Sequence, residues 1–188
     1  MKVEHHTPLT DHEIIDLIVL KGKVEMYSLL YKKYQLIVYK KCLAITKNRD
    51  VAEELTQDIL CKVFDKLKEF KKQSTFSTWL FSIVYHECIN YLRVSKKSMH
   101  QIYDIEGEDT DHEVEDVELE DLKVSRLDEV LNLLNPLDKA ILLMKYQEGF
   151  KLKQIQLALN ISESSTKMRI KRAKLKVLKL YHDLYPDH

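Results

Sequence analysis

Lys151-Leu152-Lys153-Gln154-Ile155-Gln156-Leu157-Ala158-Leu159-Asn160-Ile161-Ser162-Glu163-Ser164-Ser165-Thr166-Lys167-Met168-Arg169-Ile170-Lys171-Arg172-Ala173 is the stretch that decides the fold. It breaks at Asn160-Ile161-Ser162, a tight turn between a short helix over Leu152–Leu159 and a long basic one from about Ser162 to Tyr181. Ile155 and Leu159 face inward from the first helix, and Ile161 from the turn. Thr166, Ile170, Ala173 and Val177 step by four, three and four, which keeps them on one face of the second helix. Together these make a helix-turn-helix. The opposite face offers Lys167, Lys171 and Lys174, with Arg172 and Ser165 beside them. From Lys151 to Tyr181 there are nine basic residues and one acid, Glu163, a net of +8. A merely solvated amphipathic helix has no need of so one-sided a charge. A helix of this width fits the major groove. Its first turn presents backbone N–H groups to a phosphate, Arg grips guanine through two hydrogen bonds, and Lys neutralises phosphates.

Working back from the reader, Leu127, Val130, Leu131 and Leu134 mark an apolar helix, Pro136 opens the next in its first turn after Asn135, and Gly149 ends it. Residues 98–122 differ in kind: eleven acids and no Lys or Arg, a net of −11, with apolar residues scattered. High charge with little to bury predicts a mobile linker, with a helix near Val114–Leu122 as the alternative. Upstream of it, residues 1–97 carry 17 basic and 12 acidic side chains, a net of +5. Helices are expected at Asp11–Leu20 and at about Lys23–Lys47, where Tyr27, Leu30, Tyr34, Ile37, Val38 and Cys42 form the inward stripe. A third follows Asn48-Arg49-Asp50, with Asp50 as cap, Glu53 as its capping-box partner, and Leu55, Ile59, Val63 and Leu67 inward. The last runs from about Ser77 to Val94 and buries Leu80, Ile83, Val84, Ile89 and Leu92. Only three Gly and three Pro occur in 188 residues. The chain is therefore expected to be all-α: two small helical domains, 11–97 and 125–182, joined by an acidic flexible linker, 98–124. The formal charge is zero, so the basic and acidic blocks point to partners that read charge.

A second nucleic-acid feature lies between Phe70 and Lys97. Phe70, Phe76, Trp79, Phe81, Tyr85 and Tyr91 interleave with polar residues, and Arg93, Lys96 and Lys97 close the helix. Unstacked bases lie on aromatic faces while cations hold their phosphates. Trp79 reads better as core, and the loop residues Gln73, Ser74 and Thr75 as the ones that touch a base. Little suggests catalysis: P-loop, GxGxxG and nucleophile-elbow patterns are absent. His86-Glu87-Cys88 are adjacent on a helix and point apart, so they do not share a metal; neither cofactor nor metal is expected. Cys42, Cys61 and Cys88 are odd in number, form no CxxC, and sit in apolar helical stretches, which predicts buried free thiols in a reducing cytoplasm. The N-terminus lacks a basic-then-apolar leader, and no apolar run approaches the roughly 18 residues of a membrane span. The chain is expected to be cytoplasmic, without membrane insertion and without enzymatic activity.

The motifs resemble those of the extracytoplasmic-function sigma factors, a branch of the sigma-70 superfamily. Region 2 of that family has a run like D-x-A-E-D-L-x-Q-E, and here stand Asp50-Val51-Ala52-Glu53-Glu54-Leu55-Thr56-Gln57-Asp58. F-x-x-W-L follows as Phe76-Ser77-Thr78-Trp79-Leu80, and D-Y-L-R as Asn90-Tyr91-Leu92-Arg93. Region 4 has E-I-A-x-x-L-x-I-S-x-G-T-V-K-S-R-x-x-R-A, matched by Gln154-Ile155-Gln156, Leu159, Ile161-Ser162, Ser164-Ser165-Thr166-Lys167-Met168-Arg169 and Arg172-Ala173. Order and spacing match over about residues 11–182. The resemblance implies that the first domain is sigma region 2 and the second sigma region 4, a winged-helix-like helix-turn-helix. It implies that Glu54, Gln57 and Asp58 dock on the clamp helices of the beta-prime subunit of core RNA polymerase. Gln73, Ser74 and Thr75 would capture a flipped base of the minus-ten element of promoter DNA, with His86, Asn90, Arg93, Lys96 and Lys97 along its path. Ser165, Lys167, Met168, Lys171 and Arg172 would face the minus-thirty-five element. The acidic linker would thread the polymerase's RNA-exit path, and an anti-sigma factor would restrain the whole.

The departures matter. His86 and Asn90 stand where the family has Asn and Asp, which changes what is read near minus-ten. Gln154 and Gln156 replace a Glu and an Ala; a Gln at the second place must bend outward or open the helix crossing. Ser164 and Met168 replace Gly and Ser, so the upstream sequence read cannot be carried over. The rival reading is a conventional helix-turn-helix regulator that acts on duplex DNA without polymerase; another is a helical adaptor whose DNA reader has decayed.

Overall fold

In the computed structural model, which describes residues 9–97 and 124–186, every regular element is helical. The chain divides into two units, Met1–Glu87 and Cys88–His188, and the division falls inside a helix. The acidic strip, with its expected mobile linker and alternative helix near Val114–Leu122, lies outside the described residues.

The first unit opens with α1 (Asp11–Val19). Its capping box pairs the Thr10 hydroxyl with the Glu13 amide at 3.3 Å and the Glu13 carboxylate with the Thr10 amide at 2.8 Å. The next helix was expected to start near Lys23. A single 3₁₀ turn, Val24–Met26, leads instead into α2 (Tyr27–Thr46). Lys47, left-handed at φ 56°, ends it and reverses the chain. Asn48 then caps α3 (Arg49–Lys66), its side-chain oxygen accepting from the Val51 amide at 3.2 Å. Asp50, expected as the cap, lies one residue inside. Asn48 is the residue with extended backbone, φ −131°, so it alone can turn its side chain onto the first amides. Asp50 still places its charge in the first turn, where the helix dipole favours it. A turn at Leu67–Glu69 leads through the loop 71–75 to α4 (Phe76–Lys97).

α2 and α3 pack on each other as a helical hairpin. Leu30, Tyr34, Val38, Cys42 and Ile45 meet the buried stripe Ala52, Leu55, Ile59 and Val63. Ile37, expected on the inward stripe, is 40% exposed. The stripe advances mostly by four, and that path rotates position 37 off the buried face. On α4, Leu80, Val84 and Ile89 are buried as expected, while Ile83 and Leu92 are only half-buried. α1 is tied to α2 through Asp11, which accepts from the Tyr34 hydroxyl and from Lys33, both at 2.6 Å.

The second unit contains α5 (Val124–Leu133), α6 (Pro136–Leu142), α7 (Leu152–Leu159) and α8 (Glu163–Leu184). Asn135 caps α6 by accepting from the Asp138 amide at 2.9 Å, with Pro136 in the first helical position. A π turn over Leu143–Gln147 prolongs α6. Gly149, at φ +66°, then turns the chain so that the Phe150 amide reaches the Met144 carbonyl at 2.9 Å. α5, α6 and α7 all pack on α8. A β-wing requires strands, and the described residues of the second unit contain none; α7 and α8 form its helix-turn-helix.

Candidate nucleic-acid interface

The reader is built on Ser162. Its hydroxyl accepts from the Ser165 amide at 3.2 Å and lies 2.9 Å from the Ser165 hydroxyl. That cap fixes the start of α8. Asn160 supplies the turn before it at φ 53°, a left-handed conformation that Asn tolerates. Thr166, Ala173 and Val177 are at most 2% exposed, whereas Ile170, expected with them, is half-buried. The buried Thr166 hydroxyl donates to the Ser162 carbonyl at 2.8 Å, so no polar atom is stranded there. Ser165, Lys167 and Met168 stand on the exposed side; Lys171 and Arg172 are half-buried. Glu163 is exposed and holds Lys167 at 2.7 Å across one helical turn. The hydrogen bond from Lys167 keeps the Glu163 carboxyl below the usual carboxylate range.

The two Gln departures take different places on α7. Gln154 accepts from the Lys151 amide at 2.7 Å and so completes the first turn of α7. Gln156 is half-buried, and the small residue in the buried stripe of α7 is Ala158, between Ile155 and Leu159.

In the first unit, an aromatic cluster supports the loop 71–75. Phe70 and Phe76 are buried, Trp79 is half-buried, and ring centroids lie 5.3 Å apart for Phe70–Trp79 and 5.8 Å for Phe76–Trp79. Phe70, Phe76 and Tyr85 are therefore packing groups, while Trp79, Phe81 and Tyr91 are half-buried. Lys72 is left-handed at φ 55°, and its ammonium reaches Asp16 at 2.6 Å, which pins the loop to α1. Gln73 is exposed and Ser74 half-buried. Thr75 is exposed, but its hydroxyl is committed to the first turn of α4, 3.2 Å from the Thr78 amide and 2.8 Å from the Thr78 hydroxyl.

His86 follows on α4 with its side chain 41% exposed. Its Nδ1 is 3.3 Å from the Glu87 carboxylate, which also takes the Lys62 ammonium at 2.5 Å. Burial works to raise the Glu87 pKa, but the hydrogen bonds from Lys62 and His86 outweigh it and hold the carboxyl below its ordinary range. Among the described residues, no group of three or more His, Cys, Asp or Glu is placed to hold a metal ion. Asn90 and Arg93 are half-buried, four and seven residues beyond His86 on the same helix. Lys96 and Lys97 occupy its last turn, with side chains outside the described residues.

On α3, Glu54, Gln57 and Asp58 share one exposed face. Cys61 stands on it too, four residues after Gln57 and seven after Glu54. Its expected burial is thus overturned, while Cys42 and Cys88 are buried. The spacing carried this information: a residue seven after an exposed Glu returns to the same side of the helix. In native protein, a thiol reagent should modify one cysteine quickly and the other two only on unfolding, and Cys61→Ser should remove the fast phase. Three equal rates would contradict the burial pattern.

Among the described residues, no helix is long and apolar enough to cross a membrane. Residues 30–98 match the family model of Sigma-70 region 2, and residues 125–177 that of Sigma-70, region 4. The chain is 27% identical over 168 residues to the ECF RNA polymerase sigma factor SigX of Bacillus subtilis, covering 85% of each chain. It is 25% identical over 181 residues to SigW of the same organism, covering 88% of this chain and 94% of the relative. The fold is similar to that of the sigma factor RpoE from Bartonella quintana, solved with the anti-sigma factor NepR. The TM-score is 0.58 at 19% identity, with 86% of this chain and 98% of the other covered. It is also similar to CnrH, solved with the cytosolic domain of CnrY, with a TM-score of 0.56 at 15% identity and coverage of 93% and 97%. With both sigma-70 regions in order on one helical chain, and with relatives matched over most of their length, the chain belongs to the extracytoplasmic-function sigma factors, which bind core RNA polymerase and direct it to promoters.

Proposed function

We propose that the sigma activity is divided between residues 11–97, which dock on polymerase and open the minus-ten element, and residues 125–182, which read the minus-thirty-five element, with 98–124 as the connecting linker. The observation that carries this reading is the partition of α8: Thr166, Ala173 and Val177 buried, Ser165, Lys167 and Met168 outside on a strongly basic helix. Lys171 and Arg172 flank that surface. Glu54, Gln57 and Asp58 form the docking face for the clamp helices of beta-prime. Gln73 and Ser74 receive the flipped base, while Thr75 shapes the loop through its cap. His86, Asn90, Arg93, Lys96 and Lys97 follow the strand along α4. The protein acts in the cytoplasm, carries no catalytic activity of its own, and is restrained by an anti-sigma factor, as the NepR partner of RpoE suggests.

Strand opening supplies the test. Unstacking a base costs a few kcal/mol, which pocket and phosphate contacts must offset. Lys71→Glu with Lys72→Glu should depress open-complex formation, read by permanganate reactivity of the unpaired strand, while core binding persists. Because Lys72 also anchors the loop to Asp16, Lys71→Glu alone isolates the electrostatic part. It should flatten the salt dependence by about one unit of slope, as expected for one lost phosphate contact. Unchanged opening by the double variant would remove the loop from the melting machinery.

A further inference from the structure

Glu163 is the one acid among the nine bases between Lys151 and Tyr181, and it sits in the first turn of α8, the part of a reader helix that reaches base edges. A carboxylate here is repelled by the phosphates of any duplex that α8 enters. Stabilisation of the helix start accounts for part of its presence, since a negative charge near a helix N-terminus and a Glu four residues before a Lys are each favourable. Its placement says more. The Glu163 carboxylate and the Lys167 ammonium lie side by side at 2.7 Å, both about three-fifths exposed, on the outward face of the reader.

A C·G base pair presents the complementary arrangement in the major groove. The cytosine N4 amine is a donor, and the guanine O6 beside it an acceptor; hydrogen-bonded to each other, they lie about 2.9 Å apart. Guanine N7 adds a second acceptor for the ammonium. Carboxylate to cytosine N4 and lysine to guanine O6 and N7 are both favoured pairings, and a C·G pair offers them together. A T·A or A·T pair puts a methyl group beside its own donor and acceptor, and offers no such pair of acceptors to the lysine. Resting on the assignment of α8 to the upstream promoter element, we propose that Glu163 is a specificity-determining residue, and that Glu163 and Lys167 together read one C·G pair there.

The experiment uses the full chain with core polymerase. Holoenzymes carrying wild type, Glu163→Gln or Lys167→Ala select promoters from a duplex library randomised across the upstream element. Wild type should show one position where C·G exceeds the other pairs by roughly tenfold or more, the discrimination expected of a good base contact. Glu163→Gln should lose that preference or move it toward A·T, since Gln pairs with adenine, and leave the other positions unchanged. Lys167→Ala should weaken the same position. If Glu163→Gln keeps every preference and merely binds all sequences more tightly, Glu163 is a helix-stabilising charge and the inference falls, with the upstream reading intact. If wild type shows no preference anywhere in the element, the upstream assignment of α8 falls with it.

Discussion

Glu54→Arg combined with Gln57→Ala should abolish retention of the chain by core RNA polymerase in a pull-down that retains wild type. Both residues lie on the exposed face of α3, whose opposite side carries Leu55, Ile59 and Val63. The substitutions therefore leave the packing of the first unit alone, and far-ultraviolet circular dichroism should not change. Exposure is what makes the predicted loss specific. On the proposed docking of this face, a surface that meets a partner's positive charge with Glu54 and Asp58 would meet it, after reversal, with a cation. Juxtaposing like charges in an interface costs several kcal/mol, and each 1.4 kcal/mol is a factor of ten in affinity, so a loss on the order of a hundredfold or more is expected. Glu54→Asp, which keeps the charge, should retain most of the binding. Undiminished retention of the double variant would move the docking surface off this face of α3. Failure of wild type itself to bind core polymerase would be the larger reversal, because it would remove the family's defining partner.

What the sequence disclosed, and what it hid, follows from the range over which each cue acts. The turn and helices of the reader were legible because their determinants are local. The boundaries Leu152 and Leu159, the Asn160 turn and the inward Thr166, Ala173 and Val177 all stand as the spacing predicts. The Asn135 cap with Pro136 behind it is equally local. Asn48 and Asp50 show where local reasoning fails: both are good caps, two residues apart, and the reversal at Lys47 decides which one is extended. Ile37 and Cys61 fail for a related reason. Each is apolar enough for a core, but their faces are fixed by the direction in which α2 and α3 meet. The conformation of the loop 71–75 was only partly legible. Gln73 stands exposed, but the Thr75 hydroxyl is engaged by Thr78, and the tether from Lys72 to Asp16 joins residues 56 apart in sequence. No periodicity reports a contact of that range.

The long-range contact with the largest expected effect on the reader is also invisible in the sequence. Lys176 counts among the basic residues of α8, but its ammonium is turned inward to the Asp138 carboxylate at 2.5 Å. The Asp138 side chain is only 8% exposed, and it also accepts from the Asn135 side-chain amide at 2.7 Å. The two partners are unequal, which predicts an asymmetry. Lys176→Met keeps the apolar stem and strands a buried carboxylate with one remaining side-chain donor. A hydrogen bond between charged groups is worth about 1.5–3 kcal/mol, so opening of α8 from α6 should rise roughly thirtyfold for a loss of about 2 kcal/mol. Asp138→Asn costs less, because Lys176, 54% exposed, turns to water once its partner is neutral. Amide hydrogen exchange along α8 in the full chain reads both, and avoids assigning one unfolding transition to a two-unit protein. Replacing the pair together, Asp138→Leu with Lys176→Met, removes the buried carboxylate as well as the bond, and apolar substitution of both members of an ion pair that buries a charge is often neutral or stabilising. Protection should therefore fall in Lys176→Met and return in the double variant. If Lys176→Met exchanges like wild type, the contact is an ordinary surface ion pair, and apolar packing through Ala173, Val177 and Tyr181 is what holds α8 in place.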